Sequence, residues 1–185
     1  AYRHRHRYHR PAPKRIVDIR YASNNVALGS VIKGDLDLSN NFLPGVAEMA
    51  KQGYVKTYYA EAPYMLSANT AVLFLNTTKP PMDDPAFRRA LAFSINVDDI
   101  VNVAYANLVK AASPTALLPT LDKYVDQDVV DRLGYTYDPD EAAAILAGAG
   151  YVDVDGDGFV EAPDGSTIEL EVTCPFGWTD WMEAI

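Results

Sequence analysis

The sequence holds few of the side chains that catalysis and covalent cross-linking require. Cys174 is the single cysteine, so the chain forms no disulfide with itself and the redox compartment stays open. All three histidines fall within the first nine residues, and the rest of the chain therefore lacks the commonest proton-transferring side chain. Cys174 has no cationic neighbour in sequence that would activate it as a nucleophile. These absences argue against an enzyme, and no cofactor is expected.

Long apolar runs are also missing. No stretch approaches the roughly 20 residues that a helix needs to cross a bilayer, and the first residues lack the apolar segment of a signal peptide. Cations are concentrated at the start, because residues 1–15 carry six of the 16 and no acid, whereas all 25 acids follow. An acidic body is repelled by nucleic acid and anionic lipid, so nucleic acid is not an expected partner.

The basic, His-rich opening has three interpretations. Residues 1–13 are taken as a tail that is disordered or not native to the protein, since termini are poorly tied down. An arm for nucleic acid and a metal-binding histidine tract are the other two.

The remaining pattern alternates between strands and helices. Period-two alternation predicts strands at 15–22, 34–42, 54–60 and 166–174. The continuous apolar run at 70–77 predicts a strand that is buried on both faces. Polar residues before apolar periodicity predict helix starts, at Asn24 or Asn25, Asp84, Asn96 and Asp138. A further helix is expected over 42–53, with Pro44 in its first turn.

An acidic stretch near the C-terminal end has the spacing of a calcium loop. With Asp153 at position one of YVDVDGDGFVEAPDG, oxygen-bearing side chains fall at positions three, five, nine and twelve: Asp155, Asp157, Glu161 and Asp164. An EF-hand requires a helix on each side, whereas here a strand is expected to follow. Asp-Gly pairs also form turns for backbone reasons alone, so an acidic turn is the favoured interpretation and calcium stays open.

Several motifs in order resemble one family. A strand ending in Asn76 precedes Lys-Pro-Pro at 79–81, a helix with paired arginines at 88–91, and Ile-Asn at 95–96; Tyr-Asp-Pro at 137–139 and Ala-Gly-Tyr at 149–151 follow. With GDLDLSNN upstream, this order is similar to the family 5 extracellular solute-binding proteins of ABC importers for oligopeptides, nickel and some oligosaccharides. The resemblance covers roughly residues 14–183 and extends to only part of a family member.

The resemblance implies a fold and a function. Family members have two lobes that close on a ligand, so the expected fold is α/β, a mixed sheet with packed helices forming most of one lobe. Residues 14–42 would be a strand–helix–strand segment at the lobe crossover, and 43–185 a second lobe, truncated at its C-terminus. The protein would capture an oligosaccharide, or alternatively an oligopeptide, for a membrane permease, outside the cytoplasm and anchored as a lipoprotein. The other lobe would belong to the same protein or to another chain.

Two stretches are predicted to contact the ligand, because amide and aromatic groups suit sugars and peptides. The first is Asn40, Asn41 and Phe42, although either asparagine can instead cap the next helix. The second contains Trp178, Asp180 and Trp181, and oligosaccharide-binding family members carry a similar Gly-Trp-x-Asp-Trp stretch. Packing of both indoles in a core is the alternative.

Two further residues are weaker candidates for ligand contact, and two other classes of function stay open. Tyr64 and Asn69 lie in a loop between predicted strands, where binding residues often occur. A glycosidase would use Asp180 with Glu169 or Glu171, although strand alternation places the two glutamates on one solvent-facing side. A module that binds no small ligand is the third class.

Overall fold

The structure is a computed structural model that describes residues 13–185, and helices joined by irregular segments dominate it. The three interpretations of the basic tail concern residues 1–13, of which 1–12 lie outside the described range. The α-helices are α1 Asn24–Lys33, α2 Val46–Lys51, α3 Pro85–Ser94, α4 Val97–Asp99, α5 Gln127–Leu133, α6 Pro139–Gly148 and α7 Thr179–Ala184. A π-helix, Ile100–Ala104, continues α4, and a 3-10 helix covers Pro119–Tyr124. None of the helices in 13–185 is long and apolar enough for a bilayer crossing.

Three predicted helix starts are confirmed, and in each a side-chain oxygen accepts a hydrogen bond from a backbone N–H that has no helical partner. Asp84 accepts from the amide of Ala86 at 2.8 Å, with Pro85 in the first turn of α3. The other two caps are made in the same way, by Asn96 for α4 at 3.1 Å and by Asp138 for α6 at 3.0 Å.

The starts of α1 and α2 differ from prediction. Ser23 caps α1 by accepting from the Val26 amide at 3.3 Å, so the cap precedes Asn24 and Asn25. α2 begins at Val46, because Gly45 adopts a left-handed conformation with φ of 72° and interrupts the helical path after Pro44. The predicted end of α1 at Gly34 is confirmed, with φ of 78°.

The predicted mixed sheet is absent from the described residues. The five segments expected as strands are irregular, and the pairing within 13–185 is one isolated antiparallel bridge between Val152 and Glu161. The expectation that 70–77 is buried on both faces is wrong, since the side chain of Phe74 is 90% exposed. Alternation tells which side chains favour burial, but a strand also needs a neighbour for its backbone hydrogen bonds, and here none is provided.

Two small clusters of buried side chains hold the helices. The first joins α1, the start of α2 and the chain beyond the π-helix, through Ala27, Leu43, Val46 and Leu108. The second lies between α3 and α6 and contains Ala90, Phe93 and Ala142, with Ile145 and Leu146 against it. Alanines on both helices allow the close approach, because they place no long side chain between the backbones.

The region around α3 is further secured by polar contacts. The hydroxyl of Tyr151 donates to the second carboxylate oxygen of Asp84 at 3.1 Å, and its ring lies 5.1 Å from that of Phe87. The amide of Asp138 donates to the carbonyl of Phe93 at 2.8 Å, which connects the start of α6 to the end of α3.

Substitution Ala142→Leu is expected to lower the free energy of unfolding by about 1–3 kcal/mol, because Ala142 is 5% exposed and packed against α3. Urea denaturation measures the change. The matched control is Ala143→Leu on the exposed side of the same helix, for which the change stays within about 0.5 kcal/mol. Equal effects of the two substitutions would contradict the helix pairing.

Candidate functional site

The two indoles lie together at the start of α7. Trp178 immediately precedes the helix and Trp181 lies within it, with ring centroids 5.5 Å apart and an edge-to-face angle of 62°. The side chain of Trp178 is 48% exposed, and Trp181 is partly buried. The indoles are therefore not sealed in a core, and Trp178 presents an apolar face to solvent.

Asp180, which lies between the two tryptophans, points inward. It is 5% exposed, and the side-chain amide of Asn24 donates a hydrogen bond to its carboxylate at 3.0 Å. Asn24 is the first residue of α1, so this contact joins the beginning of α1 to the beginning of α7.

Tyr105, at the end of the π-helix, also lies close to Asp180. Burial raises the pKa of the Tyr105 hydroxyl, and the negative charge of Asp180 raises it further. The phenol consequently stays protonated and available as a donor. The Tyr105 ring also contacts Phe42 edge-on, with centroids 5.2 Å apart. Phe42, Tyr105 and Asp180 thus connect the two predicted ligand stretches.

The amides beside Phe42 face solvent. Asn40 and Asn41 are exposed, and the backbone amide of Asn41 donates to the hydroxyl of Ser39 at 3.3 Å. Neither asparagine caps α2, because Gly45 occupies the cap position. Their alternative structural role is therefore wrong, and both side chains stay free to meet a partner.

The two weaker candidates differ in environment. Tyr64 is partly buried against the first hydrophobic cluster, to which Phe42 also contributes, and its backbone has a positive φ of 58°. Asn69 is exposed in the loop that follows. The structure thus places Tyr64 in the packing that supports Phe42, whereas Asn69 is not among the side chains of either cluster.

Sequence reasoning missed Asn24 and Tyr105 as members of this site. The sequence predicts Asn24 only as a helix cap, because Asp180, which accepts its hydrogen bond, lies 156 residues away and leaves no local signal. Tyr105 belongs to a segment that is expected to be an ordinary helix, and the π-helical turn places it beside Asp180.

In the acidic loop, carboxylates accept hydrogen bonds from the loop's own backbone. Asp153 accepts from the amides of Gly156 at 2.6 Å and Gly158 at 2.9 Å, and Glu161 accepts from Val154 at 2.8 Å. Carboxylate oxygens of Asp153, Asp155 and Glu161 lie within 4.8 Å of one another, close enough to share a cation. The local hydrogen bonds fit the acidic-turn interpretation, which needs no metal.

Asp164, at position twelve, is engaged separately. The hydroxyl and amide of Ser166 donate to its carboxylate at 2.6 and 3.0 Å, and these hydrogen bonds lower the pKa of Asp164. It lies outside the group of three converging carboxylates.

Two open depressions of the surface are lined by neither the two tryptophans nor the segment Asn40 to Phe42. One, of about 640 Å³, lies between the turn at 80–84 and the segment 162–169. The other, of about 580 Å³, is formed mainly by 59–67 with Lys110, Pro119 and Thr120. Both are wide and shallow, so the exposed indole and amide side chains describe the candidate site better than either depression does.

A comparison with protein families now identifies the chain. Residues 2–185 match the middle region of the bacterial extracellular solute-binding proteins, family 5. The chain belongs to this family. The relatives of the chain are therefore solute-binding proteins.

Curated relatives of this family 5 chain are binding proteins. The dipeptide-binding protein of Escherichia coli is 38% identical over 86 residues, which is 46% of this chain and 15% of that protein. The heme-binding protein A of Haemophilus influenzae is 33% identical over 109 residues, 58% of this chain and 18% of that protein.

Solved structures resemble the family 5 chain more fully. A periplasmic oligopeptide-binding protein of an oligopeptide ABC transporter from Thermotoga maritima matches 93% of this chain at 50% identity, with a TM-score of 0.84. A mannohexaose-bound structure of the same Thermotoga maritima protein matches 89% at 49% identity, with a TM-score of 0.82. The chain spans 32% and 31% of the protein in these two structures, and a smaller share of the curated relatives. The chain therefore has the fold of the matching part of a periplasmic binding protein.

Calcium is expected to leave the stability of the protein unchanged, because the oxygens of Asp153 already accept backbone hydrogen bonds. Thermal unfolding with millimolar CaCl₂ and with EDTA measures this. A site filled at 100 times its dissociation constant would add about 2.7 kcal/mol. A stabilisation that Asp153→Ala abolishes would contradict the turn and assign the three carboxylates to a metal.

Substitution Tyr105→Phe is expected to flatten the alkaline loss of stability. An unfolded tyrosine loses its proton near about pH 10, whereas folded Tyr105 keeps it, so the unfolded state binds fewer protons above that pH. The contribution of Tyr105 is therefore complete below about pH 10 and is lost as pH rises further. Urea denaturation between about pH 9 and 11.5 should give a steeper decline for the wild type; parallel curves would contradict the raised pKa.

Proposed function

We propose that the protein containing this chain is the substrate-binding component of a family 5 ABC importer. The observation that carries the proposal is the 50% identity and TM-score of 0.84 to an oligopeptide-binding protein of such a transporter, over 93% of the chain. Identity of this level over nearly the whole chain extends beyond a shared fold, which alone would not imply a shared function.

The chain would form most of one lobe of a two-lobe protein. It corresponds to about a third of the similar Thermotoga maritima protein. Three of the segments that the sequence predicts as strands, 15–22, 70–77 and 166–174, are largely exposed. We propose that these segments join a mixed sheet with strands from the rest of the protein, which would supply the missing backbone partners. The segment 14–42 would then contain the crossover between lobes.

The ligand would meet the exposed part of the candidate site. Trp178 offers a half-exposed indole, Asn40 and Asn41 offer free amides, and Phe42 connects these to the interior through Tyr105. Closure of a second lobe over this surface would remove water from the ligand and strengthen its polar contacts. Tyr64 and Asn69 stay candidates for the edge of the same surface.

An oligopeptide is the ligand class that the relatives' names support best. The dipeptide-binding and oligopeptide-binding proteins both match this chain. Exposed asparagine amides such as Asn40 and Asn41 both donate and accept, as the backbone groups of a peptide require.

An oligosaccharide is a second candidate, favoured by a separate observation. The same Thermotoga maritima protein that is named oligopeptide-binding is also known with mannohexaose bound, in a structure 49% identical to this chain. In this chain the half-exposed Trp178, supported edge-on by Trp181, offers the flat apolar surface on which the CH face of a pyranose can stack.

The proposed location and the membrane partner follow from the importer function. The protein would act outside the cytoplasm or in the periplasm, hold its ligand noncovalently and deliver it to a membrane permease. A lipid anchor on the full-length protein is part of this proposal. A glycosidase using Asp180 with Glu169 or Glu171 receives less support, because Asp180 is buried against Asn24 while both glutamates lie exposed.

The test uses the full-length protein with mannohexaose, a cello-oligosaccharide series and a panel of short peptides. Calorimetric titration should detect one of these classes, and Trp178→Ala should raise its dissociation constant by on the order of tenfold through the lost stacking surface. Thermal shift gives the same answer independently, since a ligand that binds the folded state raises its stability.

The control is Tyr124→Ala, which removes another exposed aromatic side chain, from the 3-10 helix. It should leave affinity unchanged. Absence of binding for every sugar and peptide would contradict the importer function, and hydrolysis of a glycoside would favour the enzyme alternative.

A further inference from the structure

Asp180 is one of the two buried polar or charged side chains in the described part of the chain, the other being Glu161. A carboxylate that loses its water is costly unless hydrogen bonds replace that water. In the sequence, Asp180 looks like a ligand contact because it lies between two tryptophans. In the structure its 5% exposure leaves little surface for a ligand to touch.

The partners of Asp180 come from distant parts of the chain. Asn24, at the start of α1, donates its side-chain amide at 3.0 Å. Tyr105, at the end of the π-helix, lies close to the Asp180 carboxylate, and its hydroxyl stays protonated. The ring of Tyr105 also packs on Phe42. α7 itself packs against the π-helix. One buried charge is thus shared by three segments.

A backbone contact at Gly177 independently marks the same junction. Gly177 has a positive φ of 86°, and a Cβ atom on it would overlap the carbonyl oxygen of Ala22. The chain just before α1 therefore lies directly against the chain just before α7, at a position where a glycine is required. Asn24 and Asp180 form the side-chain contact of the junction, and Ala22 and Gly177 form its backbone contact.

We propose that Asp180 is a positioning residue which, through Asn24 and Tyr105, holds the Trp178–Trp181 pair in place, and that it does not itself contact the ligand. The two indoles flank Asp180 in sequence, so fixing its carboxylate fixes the first turn of α7 from which both rings project. This inference rests on the proposed binding function only for its effect on affinity. The arrangement of the indoles is a property of the protein without ligand.

The decisive variant is Asn24→Ala, which removes the donor and leaves Asp180 in place. In the full-length protein without ligand, we expect a red shift of tryptophan emission and stronger acrylamide quenching, since the indoles become more exposed. With whichever of the sugar or peptide probes the wild type binds, we expect about a tenfold rise in dissociation constant, the size typical of a hydrogen bond to a charged group.

Asn25→Ala is the matched control, because Asn25 is the same residue type at the next position of α1 and is exposed. It should leave emission, quenching and affinity at wild-type values. Tyr105→Phe provides a second variant that keeps the ring against Phe42 and removes only the hydroxyl. It should change emission in the same direction by a smaller amount, and it keeps the proposal testable if Asn24→Ala fails to fold.

Three results distinguish the proposals. Wild-type emission and quenching in both Asn24→Ala and Tyr105→Phe would overturn the positioning role, whatever the protein binds. A loss of affinity in Asp180→Asn with no change in either variant would show that Asp180 contacts the ligand directly, and would also overturn it. Altered emission in a protein that binds no sugar or peptide would support positioning while contradicting the binding function.

Discussion

The hydrogen bond between Asn24 and Asp180 joins residues 156 positions apart, and the Asp180 carboxylate that accepts it is almost completely buried. Because a buried charge is stable only when its surroundings replace the lost solvent, α1, the π-helix and α7 are held to one mutual arrangement. The close approach of Gly177 to Ala22 follows from the same junction. The half-exposed Trp178 directly precedes α7 at this junction, so this part of the candidate site depends on a contact that is itself buried.

The rest of the described chain is lightly packed, with two small clusters and several apolar segments that face solvent. Such a surface is usual for a piece whose neighbours lie elsewhere in a longer protein, since isolated domains rarely leave so much apolar area uncovered. The similar protein from Thermotoga maritima is about three times as long as the matched part. In the proposed two-lobe protein, this part would gain some of its stability from the segments that complete its sheet.

Local chemistry made several elements predictable. Asp84, Asn96 and Asp138 cap their helices as expected, because a short polar side chain before an apolar repeat satisfies backbone donors within its own turn. The start of α2 differs from the prediction, because Gly45, directly before Val46, adopts a left-handed conformation. The predicted strands are absent for a related reason: alternation specifies which face of a strand is buried, but not which neighbouring strand pairs with it.

The sequence by itself determined the family, through several short motifs in order, and the starts of three helices and the end of α1, through caps and a glycine that act within a few residues. It also indicated which aromatic and amide side chains are candidates for ligand contact. The tertiary structure alone decided that Trp178 lies half exposed while Asp180 is buried, and that Asn24 and Tyr105 are its partners. The physical reason is range: a cap is satisfied within one turn, whereas a buried charge is satisfied only by groups that folding brings from far along the chain.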